Sequence, residues 1–482
     1  MRTPIEAWSA LERAVRVFRG PLAVRSSSLL EDSPEQPLAG IYGTWLLPND
    51  HPDPARRLAQ LVDAVKRVYA TTFSRRARAF LAATQYRLEE EAMAVIVQRV
   101  VGARHGDRFY PHISGVARSH NYYPQGPARP EDGIAAVALG LGKTVAEGEP
   151  CLRFSPAHPG HILDHASVEA MLESAQRDFW ALELGRDAPF WEHDGPLASL
   201  PLRVAEDDGT LGPVASTYSA ENHAVYDGTG RSGVRLVTFA PILKHDVFPL
   251  AAILREFLAL GTAGTRLPVE IEFAATLGSG GEPAEMGFLQ LRPVALSQRR
   301  DDVDLSLVSR ERIFCESRYI MGHGRWDDLC DWVVVDRNRY ERSQSTEVAA
   351  AVAQLNGRLT AEGRTYGLIG VGRWGSSQPW LGIPVKWEDI SGARVIVEAG
   401  FKDFRVTPSQ GTHFYQSLVS LGVAYFTVNA DAGEGFVDWD WLAAAPEVTA
   451  QGAVRLVRLP LPAVAILNGR QRRGLLVKPE GM

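Results

Sequence analysis

The residues best suited to chemistry lie in two short limbs of the stretch Val269 to Arg292, VEIEFAATLGSGGEPAEMGFLQLR. The first limb, Val269 to Phe273, alternates apolar and acidic residues. The second, Phe288 to Arg292, alternates apolar with polar and basic ones. Successive side chains of a strand point to opposite faces. As strands, the limbs put Glu270 and Glu272 on one face, and Val269, Ile271 and Phe273 on the other. Gln290 and Arg292 likewise share a face, opposite Leu289 and Leu291. The Gly-Ser-Gly-Gly run from Gly278 to Gly281 supplies a turn. Paired as a hairpin, the limbs give one apolar face and one carrying two carboxylates, an amide and a guanidinium. Neighbouring carboxylates repel unless a cation joins them. Mg2+ takes hard oxygen ligands and keeps phosphate oxygens in its shell, and a guanidinium forks onto phosphate. The polar face therefore reads as a metal-triphosphate site. An edge hairpin with a solvated face, its Glu and Arg merely paired, satisfies the same pattern.

Other elements must position these residues. Trp8, Leu11, Val15 and Phe18 recur at helical spacing within Pro4 to Phe18. Leu22 to Val24 is expected as a strand ending on Arg25 and three serines, which suits an anion cradle or a surface Arg beside a Ser-rich loop. Gly40, Gly43 and Thr44 form a second small-residue turn, and Asp53 to Ala70 a helix. Met93 to Val101 reads as a buried strand interrupted by Gln98, whose amide suits either neighbouring backbone or an adenine edge. His112 to Asn121 and Ile134 to Leu139 are further strands, and the latter runs into Gly140-Leu141-Gly142-Lys143-Thr144. A P-loop needs a Gly five residues before Gly142, where Val137 stands, so that motif is excluded. What remains is a Gly-rich strand-to-helix turn, a form that can receive anions. Ser167 to Leu184 and Val247 to Leu260 read as helices, and the second delivers the chain to the hairpin.

The polar segment Ser297 to Asp304 marks a domain boundary. Beyond it, strands at Trp332–Val335, Val395–Val397 and Ala424–Val428 alternate with helices at Glu347–Glu362 and Thr412–Leu421. Gly372 to Ser377, with Arg373, forms either an anion cradle or a tight turn packing Trp374 and Trp380. Ser409-Gln410-Gly411-Thr412 precedes His413 at a helix start, where a phosphorylated His413 would be stabilised. A capped helix with a packed or solvated histidine fits equally.

Composition narrows the function classes. A chain of 482 residues holds two to four domains, and 45% hydrophobic with 22% charged residues is ordinary for globular proteins. A net charge of −6 supplies no basic field, which argues against nucleic acid as a main partner. Three dispersed cysteines, Cys151, Cys315 and Cys330, suit a reducing, cytoplasmic setting without a disulfide or zinc framework. The first twenty residues carry four arginines and no apolar core, so no signal peptide is expected, and no stretch is apolar enough to span a membrane.

Six stretches occur in the order of one known family: AVRSSSLLEDS (Ala23–Ser33), LAGIYGT (Leu38–Thr44), MAVIVQRVV (Met93–Val101), SGVARS (Ser114–Ser119), GLGKTVAEGE (Gly140–Glu149), and EIEFA with LQLRP. Together they resemble the nucleotide-binding domain of the phosphoenolpyruvate synthase and pyruvate phosphate dikinase family, an ATP-grasp fold. The resemblance implies an α/β (α+β) protein: an ATP-grasp-like domain over residues 1–297, followed by a second α/β domain over 305–482. It implies ATP and Mg2+ as cofactors and phosphotransfer to an unknown acceptor. Arg25 and Thr44 would lie at the phosphates and Gln98 at the adenine hinge. Glu272 and Gln290 would hold the metal, Arg292 would bind the terminal phosphates, and Glu270 would lie close by. Arg25, Arg292 and His413 are the candidate catalytic residues, and the Thr-His-helix order around His413 is loosely similar to the family's phosphohistidine loop. The family's Gly-rich segment with a phosphate-binding lysine is not found upstream of Arg25, since the first lysine is Lys66. That departure implies a shortened member, or a second copy or partner that supplies the segment. It also keeps open a nucleotide sensor with little turnover. Lys143 replaces the acidic residue frequent at that position. The roughly 250 residues of a pyruvate-binding barrel do not fit after Asp304.

Overall fold

The computed structural model describes residues 5–31, 40–82, 91–124, 126–162, 167–185, 195–278, 283–294, 303–306, 308–376, 382–400, 405–406, 412–469 and 471–480. The protein is mixed α/β, and it forms two compact units: residues 1–78 with 88–294, and residues 79–87 with 295–482. The expected boundary at Ser297–Asp304 falls mainly outside the described residues. Among the described residues no helix is long and apolar enough to cross a membrane.

Two sheets of the first unit carry the hairpin and its partners. In the smaller one, the strand Leu22–Ser28 lies between Thr44–Leu47 and Met93–Arg99, antiparallel to both. Leu22, Val24, Trp45, Leu47, Met93, Val95 and Val97 turn inward against the helices Ile5–Val17 and Pro54–Thr71. The latter helix starts where the Asp53 carboxylate accepts the Ala55 N–H at 2.9 Å, with proline in its first turn, and it buries Leu58, Leu61, Val62 and Val68. The outward face of the sheet aligns Thr44, Arg25 and Ile96 across its three strands, with Leu46, Ala23 and Gln98 in the next row. Two expectations change here. The Arg25 strand does not stop at Val24. It continues through the serines because Ser26 and Ser28 are buried and the ladder to Ala94 and Met93 continues, so Arg25 sits in mid-strand. Met93–Arg99 is not a buried strand either. It is an edge strand with one face on the core and the other open, and Ile96 is 44% exposed.

The larger sheet has six antiparallel strands in the order Glu285–Pro293, Val269–Thr276, Ile113–Arg118, Ile134–Ala138, Leu152–Ser155 and His158–Ile162. Val269, Ile271, Phe273 and Ala275 pack with Ile113, Ala117 and Val137 over the helix Leu250–Thr265. The two hairpin limbs pair Glu270 with Arg292 and Glu272 with Gln290. A bulge follows: Phe273 pairs with Phe288, and Leu289 is left over. The Phe288 ring meets Phe257 of that helix edge-on, centroids 5.6 Å apart. Residues 279–282, most of the expected glycine turn, lie outside the described set. Ser167–Leu184 is not one helix. The helix Val168–Ser174 gives way to a strand, Asp178–Glu183, in which buried Phe179 and Ala181 alternate with more exposed Asp178 and Trp180. A period of two over the core overrides the helical reading.

In the second unit, four neighbouring parallel strands run in chain order: Gly324–Val335, Tyr366–Val371, Ala393–Ala399 and Ala424–Val428. The helix Ser345–Ala361 connects the first two. A 15-residue strand, Val454–Asn468, extends the sheet antiparallel to the first of them. Asp331, on the Gly324–Val335 strand, is 1% exposed and lies between the Nε atoms of Arg364 at 2.5 Å and Arg458 at 2.6 Å.

Glu398 is fully buried on the Ala393–Ala399 strand, where its Oε1 accepts the Trp374 N–H at 2.7 Å. Burial pushes its carboxyl up to about 7, against the opposing pull of Tyr425 and Arg373. The folded form therefore holds a proton that the unfolded chain releases from about pH 4.5 upward. Stability contributed by this site is lost as pH rises through about 7. Glu398→Gln, neutral throughout, should flatten this fall when urea midpoints are measured from pH 5 to 8. An unchanged profile would exclude Glu398 as its source.

Candidate functional site

The polar face of the hairpin faces other charged groups. Arg292, almost wholly buried, donates from Nη1 to Glu272 Oε1 at 2.8 Å and from Nη2 to Gln290 Oε1 at 2.6 Å. Its Nη2 also reaches Glu31 Oε1 at 3.5 Å, and its Nη1 lies 4.0 Å from Glu270 Oε1. Glu270 is paired in turn with Arg118 on the adjacent strand, through Arg118 Nε and Glu270 Oε2. Arg25 Nη1 reaches over from the smaller sheet to 3.7 Å from Glu272 Oε2. Three carboxylates (Glu31, Glu270, Glu272) thus face three guanidiniums (Arg25, Arg118, Arg292). Burial of that many charges is tolerable only because each meets an opposite one.

The strands enforce this arrangement. Glu270 and Glu272 are two residues apart on one strand, and the register sets Arg292 and Gln290 beside them. Arg118 pairs with Glu270 from the other side. Glu31 is fixed by a local turn in which its N–H donates to Ser28 Oγ at 2.9 Å. Ser28 Oγ also bonds Glu91 at 3.1 Å, and Glu91 accepts from the Tyr42 hydroxyl. Burial pushes the Tyr122 hydroxyl, which feels both Arg118 and Glu270, up to about 12, so it stays protonated.

The geometry brings Arg25, Glu270, Glu272, Gln290 and Arg292 together. Thr44 stands directly across the ladder from Arg25, and Gln98 one row further on the same face. Arg118 and Glu31 were not singled out in the sequence, although both lie inside stretches that carry the resemblance. Arg118 is the one charged residue of the strand Ile113–Arg118, and Glu31 is the first acid after Ser-Ser-Ser-Leu-Leu. Their signal is a buried charge, and its partner comes into view only once the strands are paired.

Glu272 is the most exposed of the carboxylates, with 24% of its side chain accessible against 4% for Glu270 and Glu31. It can therefore exchange a guanidinium for an incoming cation, while Glu270 stays locked to Arg118. Arg25 and Arg292 could then turn to an anion that the cation brings.

His413 belongs to the second unit and opens the helix His413–Ser420, where Thr412 Oγ1 accepts the Tyr415 N–H at 3.1 Å. The residues Ser409 to Gly411 lie outside the described set. The Arg373 turn adjoins this helix: a Cβ on Gly375, whose φ is +75°, would stand 2.4 Å from the Phe414 ring. Trp374 is buried there and donates from Nε1 to the Val397 carbonyl at 3.1 Å. Two segments separate in sequence are thus neighbours, and packing of Trp374 shapes the turn.

No curated protein matches the chain. The family model of the pyruvate phosphate dikinase AMP/ATP-binding domain matches residues 3–184. The matched region contains Arg25, Glu31, Thr44, Gln98 and Arg118. It ends before the hairpin of Glu270, Glu272, Gln290 and Arg292, which completes the cluster from outside it. Residues 3–184 thus belong to the family of pyruvate phosphate dikinase AMP/ATP-binding domains.

Proposed function

We propose that this chain binds ATP together with Mg2+ and transfers a phosphoryl group from it, with residues 1–297 acting as an ATP-grasp-type domain. The observation that carries this reading is the Arg292 fork. One buried guanidinium joins Glu272 and Gln290 from neighbouring strands, with Arg25 closing from a second sheet. Mg2+ usually needs only one or two protein oxygens when phosphates complete its shell. The Glu272 carboxylate and Gln290 amide oxygen are such a pair, set opposite each other by the register. Among the described residues no group of three or more His, Cys, Asp or Glu side chains is placed to hold a metal, so the nucleotide would supply the other oxygens.

Bound Mg2+ would neutralise charge on the phosphates. The protein's own groups position and stabilise. Arg25 and Arg292 would leave the carboxylates for phosphate oxygens, Thr44 would donate beside Arg25, and Gln98 would present its amide to the base. Glu270, held by Arg118, would keep Arg292 aimed. The C-terminal α/β domain, residues 305–482, would offer His413 as an acceptor in the same chain.

The test is titration with ATP and Mg2+, followed by product analysis and labelling from ATP marked at the β or γ position. We expect binding that requires Mg2+, and an acid-labile phosphoryl adduct lost in His413→Ala. Label persisting in that variant removes His413 as acceptor. Binding without any product would make the chain a nucleotide sensor instead.

A further inference from the structure

We infer that Lys143 is a further phosphate ligand, approaching the nucleotide from the wall formed by the Gly140–Thr144 turn; this rests on the nucleotide reading above. Two independent lines of geometry converge on it. The first comes from the six-stranded sheet. Glu272 pairs with Val116, and Val116 with Ala136, so these side chains share one face. Val145, two residues after Lys143, packs onto Val116, Ala136 and Ala138. The turn and its short helix Lys143–Ala146 therefore fold back over the face that carries Glu272, Gln290 and Arg292.

The second line comes from the smaller sheet. The Lys143 Nζ stands 4.0 Å from the centre of the Trp180 ring. Trp180 packs with Leu46 and Val100 around Leu141 and Leu182. Leu46 is on the same face of its strand as Thr44, and hence as Arg25. Lys143 thus lies on the polar side of the six-stranded sheet, and the Trp180 ring beneath it belongs to the cluster that also holds Leu46 of the smaller sheet.

The side chain is held in place by its neighbours. It is largely buried, rests on an indole face, and lies 3.7 Å from Glu147 Oε1. Trp180 is itself fixed by its Nε1–H bond to Glu149 at 3.1 Å. Among the described residues the buried hydroxyls of Ser114 and Thr144 have no hydrogen-bond partner. Ser114 shares the face of Glu272, and its Cβ would lie 3.9 Å from a Cβ on Gly142. A buried hydroxyl without a partner is costly, and a phosphate oxygen drawn in by Lys143 would satisfy it.

The experiment compares wild type, Lys143→Met, Lys143→Arg and Arg292→Ala by calorimetric titration with Mg-ATP and, separately, with adenosine. Lys143→Met should weaken Mg-ATP about tenfold and leave adenosine unchanged, with partial recovery in Lys143→Arg. ATP affinity within twofold of wild type in Lys143→Met, while Arg292→Ala is impaired, overturns this inference and leaves the nucleotide reading standing. Equal loss for adenosine overturns it too, since Lys143 would then be serving the base through Trp180. If neither variant alters ATP binding, the nucleotide site itself is misplaced.

Discussion

Replacing Arg292 by alanine should reduce ATP affinity by about 100-fold, because each charge-assisted bond lost from a desolvated site is worth roughly 1.5–3 kcal/mol and about 1.4 kcal/mol is a factor of ten. The guanidinium is 5% exposed and contacts Glu272, Gln290 and Glu31 at once. Its removal also leaves Glu31 without that partner in a buried place, so a lower melting temperature is expected alongside the binding loss. Arg292→Lys separates the two effects. It keeps the charge, and so most of the stability, but a point ammonium cannot reproduce the fork. We expect Arg292→Lys to fold like wild type and still bind ATP at least tenfold more weakly in calorimetric titration. Full affinity in a stably folded Arg292→Lys would show that the fork is structural and that the phosphates lie elsewhere.

The second large effect concerns stability in the other unit. Asp331→Ala should cost about 3 kcal/mol, the lower end for breaking a buried ion network by removing its shared partner. The lower end applies because Arg364 and Arg458 are each more than a third exposed and can recover hydration, whereas Asp331 itself is 1% exposed. The check is urea unfolding followed through the tryptophans of the second unit. A loss below about 1 kcal/mol would class the network with surface ion pairs.

The hairpin was legible in the sequence because its alternation is strict over five residues and its apolar face is strongly hydrophobic. Val269, Ile271 and Phe273 are all at or below 1% exposure. The extent of the Arg25 strand was not legible, since Ser26 to Ser28 read locally as a loop and only the partner strand holds them extended. Met93–Arg99 misled for a related reason. Its apolar run suggests burial on both faces, yet Ile96 lies on an open face opposite Arg25. An edge strand with one open face keeps apolar side chains where the core never covers them. Arg118 and Glu31 escaped notice because a single sequence does not show which charges meet across strands. The long strand Val454–Asn468 was also missed. Its buried apolar run is interrupted by Pro460 and Pro462, which read as turn signals, whereas they occupy the stretch where its pairing with Gly324–Val335 is irregular.

The bulge at Leu289 decides what the nucleotide would meet. Gln290 and Arg292 have even numbers, and an unbroken ladder would have sent Phe288 to the same side. The leftover residue reverses the parity, so Phe288 turns toward Phe257 and Gly287 takes the inner position opposite Ala274. Deleting Leu289 would only remove the bulge and leave Phe288 opposite Phe273; it is taking Leu289 into the ladder that would swing a phenyl ring onto the side where the cation and its waters are expected. A hairpin of the same sequence paired without the bulge would keep Gln290 and Arg292 in place and still set a hydrocarbon beside them.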